Sequence, residues 1–346
     1  MTVLSGATEL PTIPPRDGDL SIDDVSPEAA KAIHADAVRL NRGELTFILP
    51  TFILAIGAAV VIALNPSELW IWAALVAALF ARVIQWGTEF VRLRRNDPVR
   101  QIRAEFREEI INREALAAHH ARRQATTLLV TPWLVAGIVV VTAVQFAVPG
   151  VLPSIRLAGL VKASTWQGEW WRLLSASYLH GNVMHLVGNM SGLLVLGSLV
   201  EMYDARSRIP LAYLAGVLGG SLSSLLLVKG AAVGASAGIL GLGGYLVVVF
   251  RRQADKHSSW LLRQILAMLG SIAIMGLVGF MFIDNAAHLG GLLAGLVVGL
   301  LCAETPGQRW SPRRTAFVTV CSWMAGVILV GGAIFTVVRL ISFQFL

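Results

Sequence analysis

Long apolar runs alternate with short polar turns along most of this chain, and the alternation predicts its elements. Two runs, 45–64 and 69–88, flank the turn Asn65-Pro66-Ser67-Glu68 and read as a tight transmembrane hairpin. Seven further runs follow, at about 126–148, 183–201, 210–228, 235–250, 262–283, 286–302 and 315–338. A helix that crosses a bilayer needs about 20 predominantly apolar residues, and these stretches come close to it. The interval 91–124 is of another kind. It carries nine arginines and five acidic residues with no span-length apolar run, which predicts a soluble linker helix. Residues 1–25, with three prolines followed by four aspartates, read as a mobile tail. Ser26 then caps a short polar helix with Pro27 at its first position. The expected organisation is a tail over 1–43, a hairpin over 44–90, a linker over 91–125 and a bundle of about seven spans over 126–346.

Composition agrees with an all-α polytopic membrane protein. The chain is 55% hydrophobic and 14% charged, with a mean hydropathy of +0.69. Globular domains carry about 25% charge, so intrinsic disorder, a secreted disulfide scaffold and a nucleic-acid-binding domain are excluded as the main identity. The net charge of +7 is explained by loop arginines that set orientation, without a nucleic-acid partner. Arg206 and Arg208, then Arg251, Arg252, Lys256 and Arg263, then Arg309, Arg313 and Arg314 mark one side, shared with the linker. The 149–182 segment, the Lys229–Gly234 turn and the Asp284-Asn285 turn mark the other. The positive-inside rule then predicts a cytoplasmic N-terminus and an outer C-terminus in a plasma-membrane protein. The polar residues 1–43 do not form a signal peptide, so the first apolar run is expected to act as an uncleaved anchor. Trp166, Trp170 and Trp171 suit a 149–182 segment resting at the membrane–water interface. Cys302 and Cys321, in or beside apolar runs, read as inert packing residues.

An ionisable residue inside a span is costly and therefore a functional suspect. His180 and His185 flank the start of the 183–201 span, and His288 lies near the start of the 286–302 span. Ser236 begins the 235–250 span, and all these starts face outward in the predicted topology. His185 and Asn189, four apart, share one helical face. His180, about 140° away at ~100° per residue, belongs to the preceding loop or buttresses the face. A zinc site would favour i,i+3 or i,i+4 histidines, a spacing these three lack. Gly291, Gly295 and Gly299 form a doubled G-x-x-x-G ridge that lets helices approach closely. Packing that ridge on the 235–250 span brings Ser236 against His288.

A serine hydroxyl becomes nucleophilic when a positioned base takes its proton, and the resulting oxyanion needs fixed donors. Ser236, His288, Asn189, His185 and the amide of Ser236 supply that inventory. Asp284, in the outer turn, reads as a helix cap or a solvated residue, so no carboxylate is placed to orient His288. The run Gly234-Ala235-Ser236-Ala237-Gly238 fits G-x-S-x-G, but the strands that confirm a nucleophile elbow are missing from the pattern.

These residues fall in His180-Gly-Asn-Val-Met-His185-Leu-Val-Gly-Asn189, Gly234-Ala-Ser236 and Ala287-His288-Leu-Gly-Gly291, with Trp171-Arg172 upstream. The chain resembles the rhomboid family of intramembrane serine proteases over roughly 126–338. The resemblance implies a rhomboid-like helical bundle, to which the 45–124 region adds a further N-terminal hairpin and linker. It implies a Ser236–His288 dyad, oxyanion donors Asn189 and His185, and structural support from His180, Gly234, Gly291 and Arg172. It also implies cleavage of single-span substrates within membrane lipid near the outer face, without metal, ATP or another cofactor. The chain departs from the family pattern at Ala237, commonly glycine, and at Leu240, a histidine-stacking tyrosine in some members. The alternatives are a catalytically impaired relative that binds transmembrane helices and controls their fate, and a transporter with a histidine proton relay, which lacks the inverted repeat such a carrier shows. Oligomeric state is left open by the sequence.

Overall fold

The computed structural model describes residues 119–253, 256–280, 283–304 and 310–342, together with residues 26–28, 30–32, 34, 35, 99 and 117. The predicted hairpin over 44–90 lies outside the described residues, as does most of the predicted tail and linker. Ten α-helices are named here in chain order. They are α1 (Val130–Ala147), α2 (Val151–Ala158), α3 (Lys162–Trp166), α4 (Arg172–Ser175) and α5 (Val183–Tyr203). After these come α6 (Ile209–Leu227), α7 (Ser236–Gln253), α8 (Lys256–Val278), α9 (Asn285–Cys302) and α10 (Pro312–Ile341). Among the described residues no strand forms; Leu160 and Ala232 make an isolated antiparallel bridge.

The chain is an integral, multi-pass membrane protein with a helical bundle. Among the described residues six helical stretches are long and apolar enough to cross a bilayer, and α7 is not one of them. Its sequence shows why: small residues fill its first half, and Arg251 and Arg252 end it. Every residue of α7 from Ala237 to Leu246 is buried, so this helix runs through the protein interior and makes its contacts with other helices. The apolar exteriors of α1, α8 and α10 face outward instead, as helices in lipid do.

Helix ends depart from the predicted runs where specific groups intervene. The run beginning at 126 stays non-helical to Leu129, because the buried Glu201 carboxylate of α5 accepts the Leu129 and Thr131 amides at 2.7 Å each. These are orphan donors of a helix start, capped from another helix. The run expected to reach 283 ends its helix at Val278, with Gly279 next. Between α1 and α5, a segment read only as interfacial folds into α2, α3, α4 and a 3-10 turn over Ala176–Tyr178.

Small residues bring α6, α7 and α9 into backbone contact. A Cβ on Gly295 would fall on the Gly241 carbonyl, and one on Gly291 would fall on that of Ala237. Such close approach is how helices associate in lipid, where the hydrophobic effect gives no preference between a lipid and a helix neighbour. Polar loops gather at the two ends of the bundle. At one, Arg208 bonds Asp204 at 2.7 Å and Glu304 at 2.6 Å, while Arg252 donates to Leu300 O at 2.8 Å at the negative end of α9. Tyr203 lies there too, bonded by His119 at 3.0 Å. At the other end sit α2, α3 and α4, and with them the starts of α5, α7 and α9.

Candidate active site

Ser236 is the first residue of α7, and its position is set by the loop before it. Leu160 and Ala232 exchange backbone bonds of 3.0 and 3.3 Å, and Gly234 N donates to Ala176 O at 3.0 Å. That loop is therefore tied by main chain to the extramembrane segment. Gly234 has φ +131°, a conformation closed to side chains, and a Cβ there would lie 2.8 Å from His185 Cε1. Glycine allows His185 to rest directly against the backbone two residues before Ser236.

His288 is the fourth residue of α9, and its Nε2 lies 2.9 Å from Ser236 Oγ. The start of α9 is fixed by Asp284, whose Oδ1 accepts the Ala287 amide at 2.9 Å. The other carboxylate oxygen accepts the Ser224 hydroxyl of α6, and Ser224 in turn accepts from Lys162 Nζ of α3 at 2.6 Å. Burial pushes the Lys162 ammonium below its usual range, and the charge of Asp284 opposes that shift. Asp284 thus acts as a cap, one of the two roles its position allowed. Its carboxylate is committed to Ala287 and Ser224.

His185 and Asn189 lie one turn apart on α5. Asn182 caps this helix by accepting the His185 amide at 2.8 Å. Asn189 is buried, and its Nδ2 lies 3.5 Å from where a Gly234 Cβ would stand. It also meets His180 Nε2 at 3.1 Å. His180 precedes α5 and is fully buried, with its ring edge-on to that of His185 at 5.1 Å. Thr142 and Gln145 of α1 hold His180 from behind: Thr142 Oγ1 meets Nδ1 at 3.0 Å, and Gln145 bonds both backbone groups of His180, at 2.8 and 2.9 Å. Burial and the neighbouring His185 lower the His180 pKa to about 3.

Arg172 is buried and bonds Glu169 at 2.6 Å, Gly159 O at 2.7 Å and Arg156 O at 3.0 Å. It pins α2 and α4 together. Gly291 touches the Ala237 carbonyl, so α9 presses against the first turn of α7. The structure thus brings Ser236 to His288, and Gly234 to His185 and Asn189, with His180 and Gly291 against them; Arg172 instead bonds within the extramembrane segment. Among the described residues no group of three or more His, Cys, Asp or Glu is arranged to hold a metal ion.

Sequence reasoning did not single out Thr142, Gln145, Lys162 or Ser224. Thr142 and Gln145 were open to discovery, being polar residues three apart in an apolar run, hence on one face. Lys162 and Ser224 carried no such signal, since a lysine in a loop and a serine at a span end are ordinary.

A hydroxyl beside an imidazole, at a helix start with unpaired amides and a nearby carboxamide, is equipped for acyl transfer. Residues 167–305 match the profile of the Rhomboid domain. The chain is similar to RHOMBOID-like protein 6, mitochondrial, of Arabidopsis thaliana, 37% identical over 43% of this chain and 48% of that protein. It is also similar to RHOMBOID-like protein 4 of Arabidopsis thaliana, 36% identical over 48% of this chain and 43% of that protein. A bacterial relative, Rhomboid protease GluP of Bacillus subtilis (strain 168), is 37% identical over 41% of this chain and 29% of that protein. The chain spans less than half the length of each of these relatives.

Proposed function

Because this chain belongs to the rhomboid family through residues 167–305, we propose that it is an intramembrane serine endopeptidase. It cleaves transmembrane segments of single-span membrane proteins near the outer end of the bundle. The observation that carries this reading is the 2.9 Å contact between His288 Nε2 and Ser236 Oγ. In the proposed reaction Ser236 Oγ attacks the scissile carbonyl carbon while its proton passes to His288 Nε2. The carbonyl oxygen becomes an oxyanion held by the Ser236 amide, Asn189 Nδ2 and His185. The imidazolium then gives its proton to the leaving amine, and the peptide bond breaks. Water, deprotonated by His288, attacks the acyl-serine, and collapse releases the acid and restores Ser236. No metal, nucleotide or other cofactor enters.

The chemistry lies shallow. Ser236 opens its helix and His288 is one turn into its own, about 5.4 Å along the axis. Water reaches it from the end carrying α2, α3 and α4. The basic loops at the opposite end support a cytoplasmic N-terminus by the positive-inside rule, and we assign the protein to the plasma membrane. A reporter fused to the C-terminus tests the orientation, and membrane fractionation tests the compartment. The word mitochondrial in one relative's name makes an inner organellar membrane the competing result.

Cleavage of a model single-span substrate by purified protein, beside Ser236→Ala and His288→Ala, tests the activity. Wild-type cutting with both folded variants silent supports the dyad; cutting by either variant removes that residue from the mechanism. The alternative, a relative that binds transmembrane helices without cutting them, rests on Ala237. It gains if wild type binds a panel of helices and cleaves none.

A further inference from the structure

Thr142 lies in the middle of α1, a helix that contributes none of the reacting groups, and is fully buried. Its hydroxyl donates to Tyr178 O at 3.0 Å. A hydroxyl has one hydrogen, so in its second contact, with His180 Nδ1 at 3.0 Å, Thr142 Oγ1 must accept. The proton of the His180 ring therefore sits on Nδ1. A neutral imidazole with its proton there presents a lone pair at Nε2. That lone pair faces Asn189 at 3.1 Å and can be met only by an N–H, so the carboxamide must turn its nitrogen toward His180. Nδ2 carries two hydrogens; His180 takes one, and the other remains for the oxyanion.

We propose that Thr142 is a positioning residue of the reaction: through the His180 tautomer it decides that Asn189 presents its amide nitrogen, rather than its oxygen, to the oxyanion. The inference rests on the reading of Asn189 as an oxyanion donor. The rest of the network leaves His180 no alternative arrangement. Gln145 holds its backbone N–H and C=O, and burial keeps the ring neutral. A carboxamide is nearly symmetric in shape, so packing alone distinguishes its two ends poorly. The direction of one proton, set on a helix outside the dyad, distinguishes them instead. Without the Thr142 oxygen only the Tyr178 carbonyl is left to hold the proton on Nδ1; in the share of molecules where the ring carries it on Nε2 instead, Asn189 turns its oxygen to meet it. An oxygen aimed at a forming oxyanion repels where a donor would stabilise.

Thr142→Val keeps the shape and removes the hydroxyl, and Thr142→Ser restores it. Steady-state cleavage is measured for wild type, both variants, Asn189→Ala and the double variant Thr142→Val/Asn189→Ala, with thermal unfolding of each. The expected result is a fall in kcat for Thr142→Val of at least about 10-fold with KM unchanged, bounded above by the roughly 100- to 1,000-fold cost of losing an oxyanion donor outright. Thr142→Ser is expected to recover the rate, and the double variant to match Asn189→Ala within about twofold. Equal losses from Thr142→Val in both backgrounds overturn the proposal, because the residue then acts independently of Asn189. A rise in KM alone overturns it too. A wild type that cuts nothing overturns the underlying reading and this inference with it. If Thr142→Val does not fold, 15N shifts of the His180 ring in wild type decide: protonation at Nδ1 supports the proposal and protonation at Nε2 overturns it.

Discussion

Gly220 of α6 stands directly opposite Ala237, the residue that follows Ser236. A Cβ at position 220 would overlap the Ala237 methyl and come within 2.6 Å of the Ala287 carbonyl oxygen. The methyl that departs from the family pattern is thus housed by a glycine on the neighbouring helix. Ala237→Gly is expected to change the cleavage rate by less than about threefold. Gly220→Ala faces backbone that cannot yield, and is expected to cost about 1–3 kcal/mol, as overpacking does. Thermal unfolding in detergent measures the second effect, and the double variant Gly220→Ala/Ala237→Gly should recover part of it.

Asp284 joins three elements, since it caps α9, accepts from Ser224 of α6 and through it meets Lys162 of α3. Asp284→Ala is expected to cost about 1–2 kcal/mol, the range for a lost N-cap, and to slow cleavage by letting the first turn of α9, which carries His288, fray. Asp284→Asn keeps a capping oxygen and should lie between Asp284→Ala and wild type. Unfolding temperature and kcat measured on the same samples check the ordering.

His180 gives the fold an acid sensitivity. Its pKa falls from 6.5 in the unfolded chain to about 3 in the fold, with burial as the leading cause. Between those values the unfolded chain binds a proton that the native state refuses, so stability falls as pH drops below about 6.5. Thr142, Asn189, His185 and the Tyr178 carbonyl face the ring; the carbonyl favours protonation, but none of the four carries a negative charge to outweigh burial. Unfolding temperature measured from pH 7 to pH 4 should decline, and His180→Gln, less stable at neutral pH, should show a shallower decline.

Arg172 holds two carbonyls and a carboxylate with one planar group. Lysine cannot reproduce that fork. Arg172→Lys is expected to destabilise by about 1–3 kcal/mol, the cost of leaving buried hydrogen-bonding groups unmet. A rise in protease nicking within 149–182 under native conditions would report that α2 and α4 had come apart.

The helical bundle was legible because lipid enforces long apolar runs, and the approach of Ser236 to His288 because a serine and a histidine at helix starts are conspicuous in such runs. Gly291 and Asn189 followed from spacing once those anchors were set, while Gly234 came only with the resemblance. Other features left weaker traces. The extramembrane helices α2, α3 and α4 have no apolar period long enough to announce them. Helix α7 read as an ordinary span, yet its small residues place it in the interior, a distinction made by its neighbours. Thr142 was visible as a polar residue in α1, but its meaning depends on Tyr178 and His180, 36 and 38 residues away.

The loop that ends at Ser236 is held by main-chain atoms alone at Leu160, Ala176, Ala232 and Gly234. Attachments of that kind belong to no side chain. The bonds at Leu160, Ala176 and Ala232 do not depend on which side chain stands there, although burial still limits the size of the residue at 160 and 176. Proline at 160, 232 or 234 is the exception, because it deletes the N–H that each of these positions donates. The start of α7 is thereby anchored by contacts that no side chain carries, and whose outright deletion would take an imino acid.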